Sequence, residues 1–239
     1  MEFEINDKKI KKTNFYYPFL EAIFYRKISR LISLPLSKTK ISPNMITVLR
    51  PIIALIGFGL IVQGQYLLSI IGGGVLLIYF VIDKTDGEVA RLKGEESKFG
   101  KVLDSIVDIT VDSLLFVVLM ISYFLKTGNF SLIYYFVFTL WLFWLSVFLI
   151  AKIQDNFEVS ISKIKNSYFE NPSLFKKIAA FIFGNIYTPS FLYTFAFLAL
   201  IFNQIPLLFY FFIASHIILV VYLFRLLYFA CRISRHGRG

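Results

Sequence analysis

The sequence predicts an all-α fold, a polytopic membrane bundle of six transmembrane helices preceded by an N-terminal interfacial amphipathic helix. Composition is the first reason. Of the 239 residues, 57% are hydrophobic and 17% are charged, whereas a soluble domain is nearer half apolar and a quarter charged. The 28 phenylalanines and 14 tyrosines add lipid-facing bulk and interfacial anchors. A single cysteine, Cys231, excludes an intramolecular disulfide and a cysteine metal cluster.

The lengths of the apolar segments are the second reason. A transmembrane helix needs about 20 mostly apolar residues. On this measure the spans are 45–64, 66–82, 102–125, 131–151, 178–202 and 205–230. The second is short and the third contains aspartates. We expect residues 41–239 to form one membrane domain, and residues 1–40 to form a cytoplasmic tail and the interfacial helix.

The segment 14–36 is too charged to span a membrane but has apolar residues at helical spacing. These residues are Phe19, Ile23, Ile28, Ile32 and Leu36. The pattern predicts a helix that lies in the membrane interface. Either Ser42 or Asn44 is then able to cap the first span.

The basic residues are distributed unequally between the two sides of the bundle. Of the 25 Lys and Arg, 24 lie on or adjoin the side that carries both termini and the connections 83–101 and 152–177, and only Lys126 lies on the other. The positive-inside rule makes the first side cytoplasmic. We therefore expect a protein of the cell inner membrane with its active site and both termini facing the cytoplasm. The charge of +10 is explained by topology and anionic headgroups, so the expected partner is the lipid bilayer and not nucleic acid.

Five aspartates lie near the ends of the second and third spans, which we expect to be joined by a loop over 87–101. They are Asp83, Asp86, Asp104, Asp108 and Asp112. The first pair is three residues apart and the other three are four apart, so each set lines one face of a helix. Like charges brought together in this way need cations. Oxygen ligands without nearby His or Cys indicate magnesium, manganese or calcium rather than zinc.

Four of these aspartates belong to a longer pattern with eight fixed positions. They are Asp83, Asp86, Gly87, Ala90, Arg91, Gly100, Asp104 and Asp108. In all eight positions and in their spacing the chain resembles the CDP-alcohol phosphatidyltransferases, and the run PNMIT at 43–47 also resembles a family feature. The resemblance implies a homodimer of six-helix bundles. It also implies transfer of a phosphatidyl or phospho-alcohol group from CDP-diacylglycerol or another CDP-alcohol to a hydroxyl acceptor, with release of CMP.

The resemblance also assigns roles. Asp83, Asp86 and Asp104 are expected to hold two Mg²⁺ or Mn²⁺ ions, and Asp108 to contact the second ion and act as general base. The residues expected to contact the CDP part of the donor are Asn44, Thr47, Gly87, Arg91 and Ser97. Ala90 and Gly100 complete the motif structurally. The planar fork of Arg91 suits a phosphate.

Four further polar residues lie outside the signature. Asp112 is expected to be a hydrogen-bond partner of the site rather than a metal ligand. Arg50 either lines the cytoplasmic cavity or extends its side chain towards the interface. Arg225 is a candidate cation for a phosphorylated acceptor, whereas His216 is expected to satisfy a local hydrogen bond. The glycines at 72–74 predict close helix packing.

The acceptor is left open among several alcohols. The runs DGEVARL at 86–92 and ESKFG at 96–100 resemble the members that handle inositol phosphates, while Ile109 stands where those members often carry a basic residue. Two other functions remain as alternatives. An intramembrane prenyltransferase typically needs a second Asp-rich motif, and only Asp155 follows residue 112. A cation transporter that uses the aspartates predicts carboxylates near mid-membrane and often internal repeats.

Overall fold

The chain is helical throughout the part that the computed structural model describes, residues 20–157 and 188–236. Within these ranges there are seven α-helices and no β-strand. The helices are α1 (Arg26–Ser37), α2 (Pro43–Val62), α3 (Tyr66–Lys93), α4 (Lys98–Thr127), α5 (Ile133–Phe157), α6 (Pro189–Ile201) and α7 (Ile205–His236). A π-helical turn, Glu21–Tyr25, runs into α1, and a 3-10 turn, Phe130–Leu132, precedes α5.

The prediction of an all-α membrane bundle is confirmed. Five helices, α2 to α5 and α7, are long and apolar enough to cross a membrane. For the predicted span 178–202 only α6, with 13 residues, lies in the described part of the chain. The connection predicted over 152–177 begins inside α5, and its remainder from residue 158 lies outside the described residues.

The second span and the loop after it differ from the prediction. α3 does not end at residue 82 but continues to Lys93, because the segment after Gly87 consists mainly of residues that favour a helix. It ends at Gly94, whose φ of 67° is left-handed and costs glycine little. α4 begins at once, with Ser97 Oγ accepting a hydrogen bond from the Gly100 backbone N–H at 2.9 Å. The acidic motif therefore lies on rigid helix, and the expected loop over 87–101 was wrong.

α2 and α3 cross at two glycines. A Cβ on Gly72 would lie 2.6 Å from the carbonyl oxygen of Gly57. The neighbouring Gly73 packs on α6, since a Cβ there would lie 2.9 Å from Leu200 Cδ1. Gly74 faces open space. Close packing is thus confirmed for Gly72 and Gly73 and wrong for Gly74, because consecutive residues point about 100° apart around a helix.

α1 lies on the bundle through a polar face. Ser29 is buried, and its Oγ donates a hydrogen bond to Glu88 of α3 at 3.1 Å. Tyr25, just before α1, shares a 2.7 Å hydrogen bond with Thr194 of α6. Burial raises the pKa of Tyr25, so its hydroxyl stays protonated. Leu31 on the opposite side is 74% exposed, which agrees with an amphipathic helix that packs on the bundle and presents apolar residues to lipid.

The two ends of the bundle are held by different contacts. At one end Lys126 Nζ donates to Asn203 Oδ1 at 2.6 Å, which joins the last turn of α4 to the connection that follows α6. At the other end Lys93 Nζ donates to the carbonyl oxygen of Ile41 at 2.7 Å, which joins the end of α3 to the segment before α2. The acidic residues lie at this second end.

Candidate metal and donor site

Four aspartates surround one arginine. α2 packs against both α3 and α4 and places Arg50 between their acidic faces. Arg50 Nη1 contacts Asp83 Oδ1 and lies 3.1 Å from Asp86 Oδ2. Arg50 Nη2 lies 2.8 Å from Asp104 Oδ1 and 2.5 Å from Asp108 Oδ1. The Arg50 side chain is completely buried, so the alternative in which it extends towards the interface is wrong.

The four carboxylates differ in solvent exposure, and the cluster opens on one side. The side chains of Asp83 and Asp86 on α3 are 6% and 5% exposed. Those of Asp104 and Asp108 on α4 are 43% and 34% exposed. Solvent and ions therefore reach the cluster from the α4 side.

The donor set fits a hard divalent cation. One oxygen each from Asp83, Asp104 and Asp108 lie within 4.8 Å of one another, a geometry that can hold an ion. Hard cations prefer carboxylate oxygens. The cations in contact with the cluster in the described chain are Arg50 and Lys84, whose Nζ lies 2.9 Å from Asp83 Oδ2. Carboxylates thus outnumber cations, and a further positive charge would stabilise the site.

Asp86 stands apart from this triplet and is oriented by α2. The hydroxyl of Thr47 donates a hydrogen bond to Asp86 Oδ2 at 2.8 Å, and Thr47 is buried. Asp86 therefore links the acidic cluster to the first turns of α2.

A groove adjoins the cluster and encloses about 580 Å³ of empty space, including its open mouth. Its lining contains every residue that the sequence assigned to the CDP donor, together with the motif residues Ala90 and Gly100. The set is Asn44, Thr47, Gly87, Ala90, Arg91, Ser97 and Gly100. Asp86 and Asp104 line it as well, so the groove ends on the acidic cluster.

Two capping interactions shape this groove. Ser42 accepts the hydrogen bond of the Met45 N–H at 3.3 Å and caps α2, so Asn44 does not serve as the cap. The Asn44 amide extends towards α4, where a Cβ on Gly100 would lie 2.8 Å from Asn44 Oδ1. Ser97 both caps α4 and lines the groove.

The remaining candidates lie elsewhere. Asp112 is buried one turn deeper than Asp108 and accepts a 2.8 Å hydrogen bond from the Tyr193 hydroxyl of α6. Arg225 is exposed on α7 and, within the described chain, neither lines the groove nor contacts the cluster. His216 Nδ1 lies 2.8 Å from the carbonyl oxygen of Phe212, the local hydrogen bond expected of it. Sequence reasoning missed Tyr193, because nothing in its neighbourhood marks it as polar and buried.

Fold and site together define an integral membrane protein in which an acidic cluster that could hold a metal ion adjoins a groove. The family model for CDP-alcohol phosphatidyltransferase matches residues 40–224. The chain belongs to this family.

Two curated relatives carry the name "Bifunctional IPC transferase and DIPP synthase". The one from Aquifex aeolicus is 38% identical over 94 residues, which is 39% of this chain and 21% of the relative. The one from Rubrobacter xylanophilus is 36% identical over 77 residues, which is 32% of this chain and 17% of the relative. The matched segments thus cover about a fifth of the length of these relatives.

Proposed function

We propose that this chain is a metal-dependent transferase that moves a phospho-alcohol group from a CDP-linked donor to a hydroxyl acceptor and releases CMP. One observation carries the proposal. The four signature aspartates meet around a single point, and this point lies at the end of a groove lined by the rest of the signature. Family membership supports the same reaction class.

The groove is the proposed site of the CDP group. Arg91 offers two parallel N–H donors to a phosphate. Among the described residues, the only atom that a Cβ on Gly87 would approach within 4 Å is Arg91 Nη1, at 3.7 Å, so this part of the chain leaves the space above the backbone open to a ligand. Asn44, Thr47 and Ser97 supply polar contacts along the same groove. A donor bound in this way points its diphosphate at Asp86 and Asp104.

Asp83, Asp104 and Asp108, with Asp86 beside them, are the residues that would hold one or two Mg²⁺ or Mn²⁺ ions. Bound ions would neutralise the diphosphate and stabilise the leaving phosphate. Asp83 and Asp86 are buried and fixed by neighbours, which gives the site a rigid base.

Asp108 is the proposed general base. It belongs to the open side of the cluster, where an acceptor hydroxyl can approach. The carboxylate takes the hydroxyl proton, and the oxygen attacks the phosphorus that carries the alcohol group. The bond from this phosphorus to the bridging oxygen breaks, and CMP leaves with that oxygen. Positioning and charge neutralisation supply most of the rate gain in such transfers.

The proposed acceptor is an inositol phosphate. Both relatives are inositol-phosphate-type members of the family, and their matches to this chain agree with the resemblance of the runs at 86–92 and 96–100. The donor is CDP-diacylglycerol or a soluble CDP-polyol. We further propose a homodimer in the cell inner membrane, with the groove and both termini on the cytoplasmic side and the membrane domain beginning near residue 41. The excess of Lys and Arg at this end of the bundle supports the orientation.

The test is CMP release by the purified full chain in lipid nanodiscs. CDP-diacylglycerol and CDP-inositol are each combined with a panel of alcohols that includes inositol phosphate, with Mg²⁺, Mn²⁺ or a chelator. We expect CMP only with a divalent ion and most rapidly with inositol phosphate. If no donor and acceptor pair released CMP, the proposed function would be wrong.

Asp108→Asn tests the base, and Asp112→Asn is its matched control one turn deeper on α4. Asp108→Asn is expected to abolish CMP release without changing the melting temperature. Asp112→Asn keeps an acceptor for Tyr193 and is expected to retain activity reduced by no more than about 10–100-fold. Full activity of Asp108→Asn would refute the assignment of the base.

A further inference from the structure

Arg50 contacts the same carboxylates that can hold a divalent cation. Its Nη1 and Nη2 contact all four signature aspartates, while Nε has no hydrogen-bond partner among the described residues. Three of its partners, Asp83, Asp104 and Asp108, form the oxygen triplet. A guanidinium and a divalent cation among the same oxygens overlap in space and repel each other.

We propose that Arg50 is a built-in counterion of the aspartate cluster that divalent cations must displace, so that this residue sets the affinity of the site for metal. The inference rests on the metal site of the proposed function. Four carboxylates at this depth repel one another unless a cation lies among them. Arg50 supplies that charge from α2, a helix that contributes no carboxylate of its own to the cluster.

An aromatic ring lies beside the guanidinium. Arg50 Cζ lies 5.7 Å from the centroid of the Tyr79 ring, which belongs to α3 and is buried beside the cluster. An aromatic face attracts a guanidinium that is removed from water, so this contact can persist when the carboxylate contacts are lost. Displacement of Arg50 therefore gives up four carboxylate contacts and keeps at most a weaker one, and the difference lowers the affinity for the incoming ion.

Lys84 separates displacement from a general effect of charge. Its Nζ pairs with Asp83 Oδ2, whereas Arg50 contacts Oδ1 of the same carboxylate, and its side chain is about a quarter exposed. Loss of Lys84 removes one positive charge from the edge of the cluster and leaves the Arg50 guanidinium between the carboxylates. Loss of Arg50 removes the same charge and opens the centre.

The experiment measures Mn²⁺ binding to the full chain in nanodiscs, without nucleotide, from the electron paramagnetic resonance signal of free Mn²⁺. Arg50→Gln is expected to bind Mn²⁺ at least about tenfold more tightly than the parent, because a buried charge at contact distance is lost. Arg50→Lys, which has fewer donors, is expected to lie between them. Lys84→Gln is expected to stay within about threefold of the parent, because Lys84 contacts a single carboxylate at the edge of the cluster and does not occupy its centre. In chelator, Arg50→Gln is expected to melt below the parent and to gain more from added Mn²⁺.

Each other outcome has a defined meaning. Unchanged or weaker Mn²⁺ binding by Arg50→Gln would overturn the inference, and so would an equal gain in Arg50→Gln and Lys84→Gln. If Arg50→Gln does not fold, Arg50→Lys becomes the deciding variant. Tighter Mn²⁺ binding by Arg50→Lys than by the parent would support the inference, and equal or weaker binding would overturn it. Absence of Mn²⁺ binding in the parent and in every variant would refute the metal site itself, and with it the proposed function.

Discussion

Gly72→Ala tests whether the α2–α3 crossing holds the acidic site together. The new Cβ would lie 2.6 Å from the carbonyl oxygen of Gly57, which is backbone and has no side-chain torsion to relieve the contact. An ordinary contact of this kind is about 3.4 Å or more, so the helices must separate by several tenths of an ångström. A gap of 0.5–1 Å forfeits roughly a quarter to a half of the dispersion energy of the atoms that it parts.

The expected cost is about 2 kcal/mol, the middle of the range for an overpacked interior. The separation also reaches the site. Arg50 lies two helical turns from Gly57, and Asp83 lies three turns from Gly72, on the same two helices. Moving α2 away from α3 lengthens the contacts between Arg50 and Asp83, so we expect CMP release to fall together with stability.

Gly74→Ala is the matched control, because no atom of residues 20–157 or 188–236 lies within 4 Å of a Cβ at that position. It adds the same methyl group two residues along the same helix and is expected to leave stability unchanged or to raise it by up to about 1 kcal/mol. The assay is thermal unfolding in one detergent, with CMP release measured on the same samples. If Gly72→Ala were as stable as Gly74→Ala, the crossing would not be as tight as we infer.

Two further substitutions test the groove and the hydrogen bond between Tyr193 and Asp112. Gly100→Ala is expected to bind CDP at least about tenfold more weakly in calorimetry, a loss of roughly 1.4 kcal/mol or more. Its Cβ would lie 2.8 Å from Asn44 Oδ1 and 3.0 Å from Ser97 Oγ and displaces these two groove-lining side chains. Unchanged CDP affinity would remove Asn44 and Ser97 from the donor site. Tyr193→Phe leaves the buried Asp112 without its hydrogen-bond donor and is expected to lower the free energy of unfolding by about 1–3 kcal/mol, whereas Tyr134→Phe, on an exposed residue, should not. Equal melting temperatures for the two tyrosine variants would contradict this role.

The helices themselves were largely predictable, because length and apolarity alone identify a segment that crosses a membrane. The end of α3 was not. Hydropathy falls at Asp83, where the apolar segment stops, but the backbone continues as a helix for as long as its residues favour one and no cap intervenes. Gly94 and Ser97 were visible in the sequence as a stop and a start, and they mark the true connection.

The acidic residues of the site were predictable because their spacing places them on shared helical faces. Arg50 was a candidate for the cytoplasmic cavity, but its position among the four carboxylates was not predictable. Spacing relates residues on one helix and says nothing about which third helix packs between two others. α2 occupies that place, and its buried arginine contacts all four carboxylates. The bond between Tyr193 and Asp112 joins residues 81 positions apart, and no local pattern encodes such a pair.

The shape of the cluster favours a transferase over a cation transporter. A path for ions would need polar side chains that continue along α4 beyond Asp112. In the described part of the chain the next turns present Leu115, Phe116 and Leu119, all buried and apolar, and Asp112 itself is closed off by Tyr193. The cluster opens instead towards Asp104 and the groove. A site with one opening suits a substrate that enters and leaves on the same side of the membrane, as a CDP-linked donor and its CMP product would.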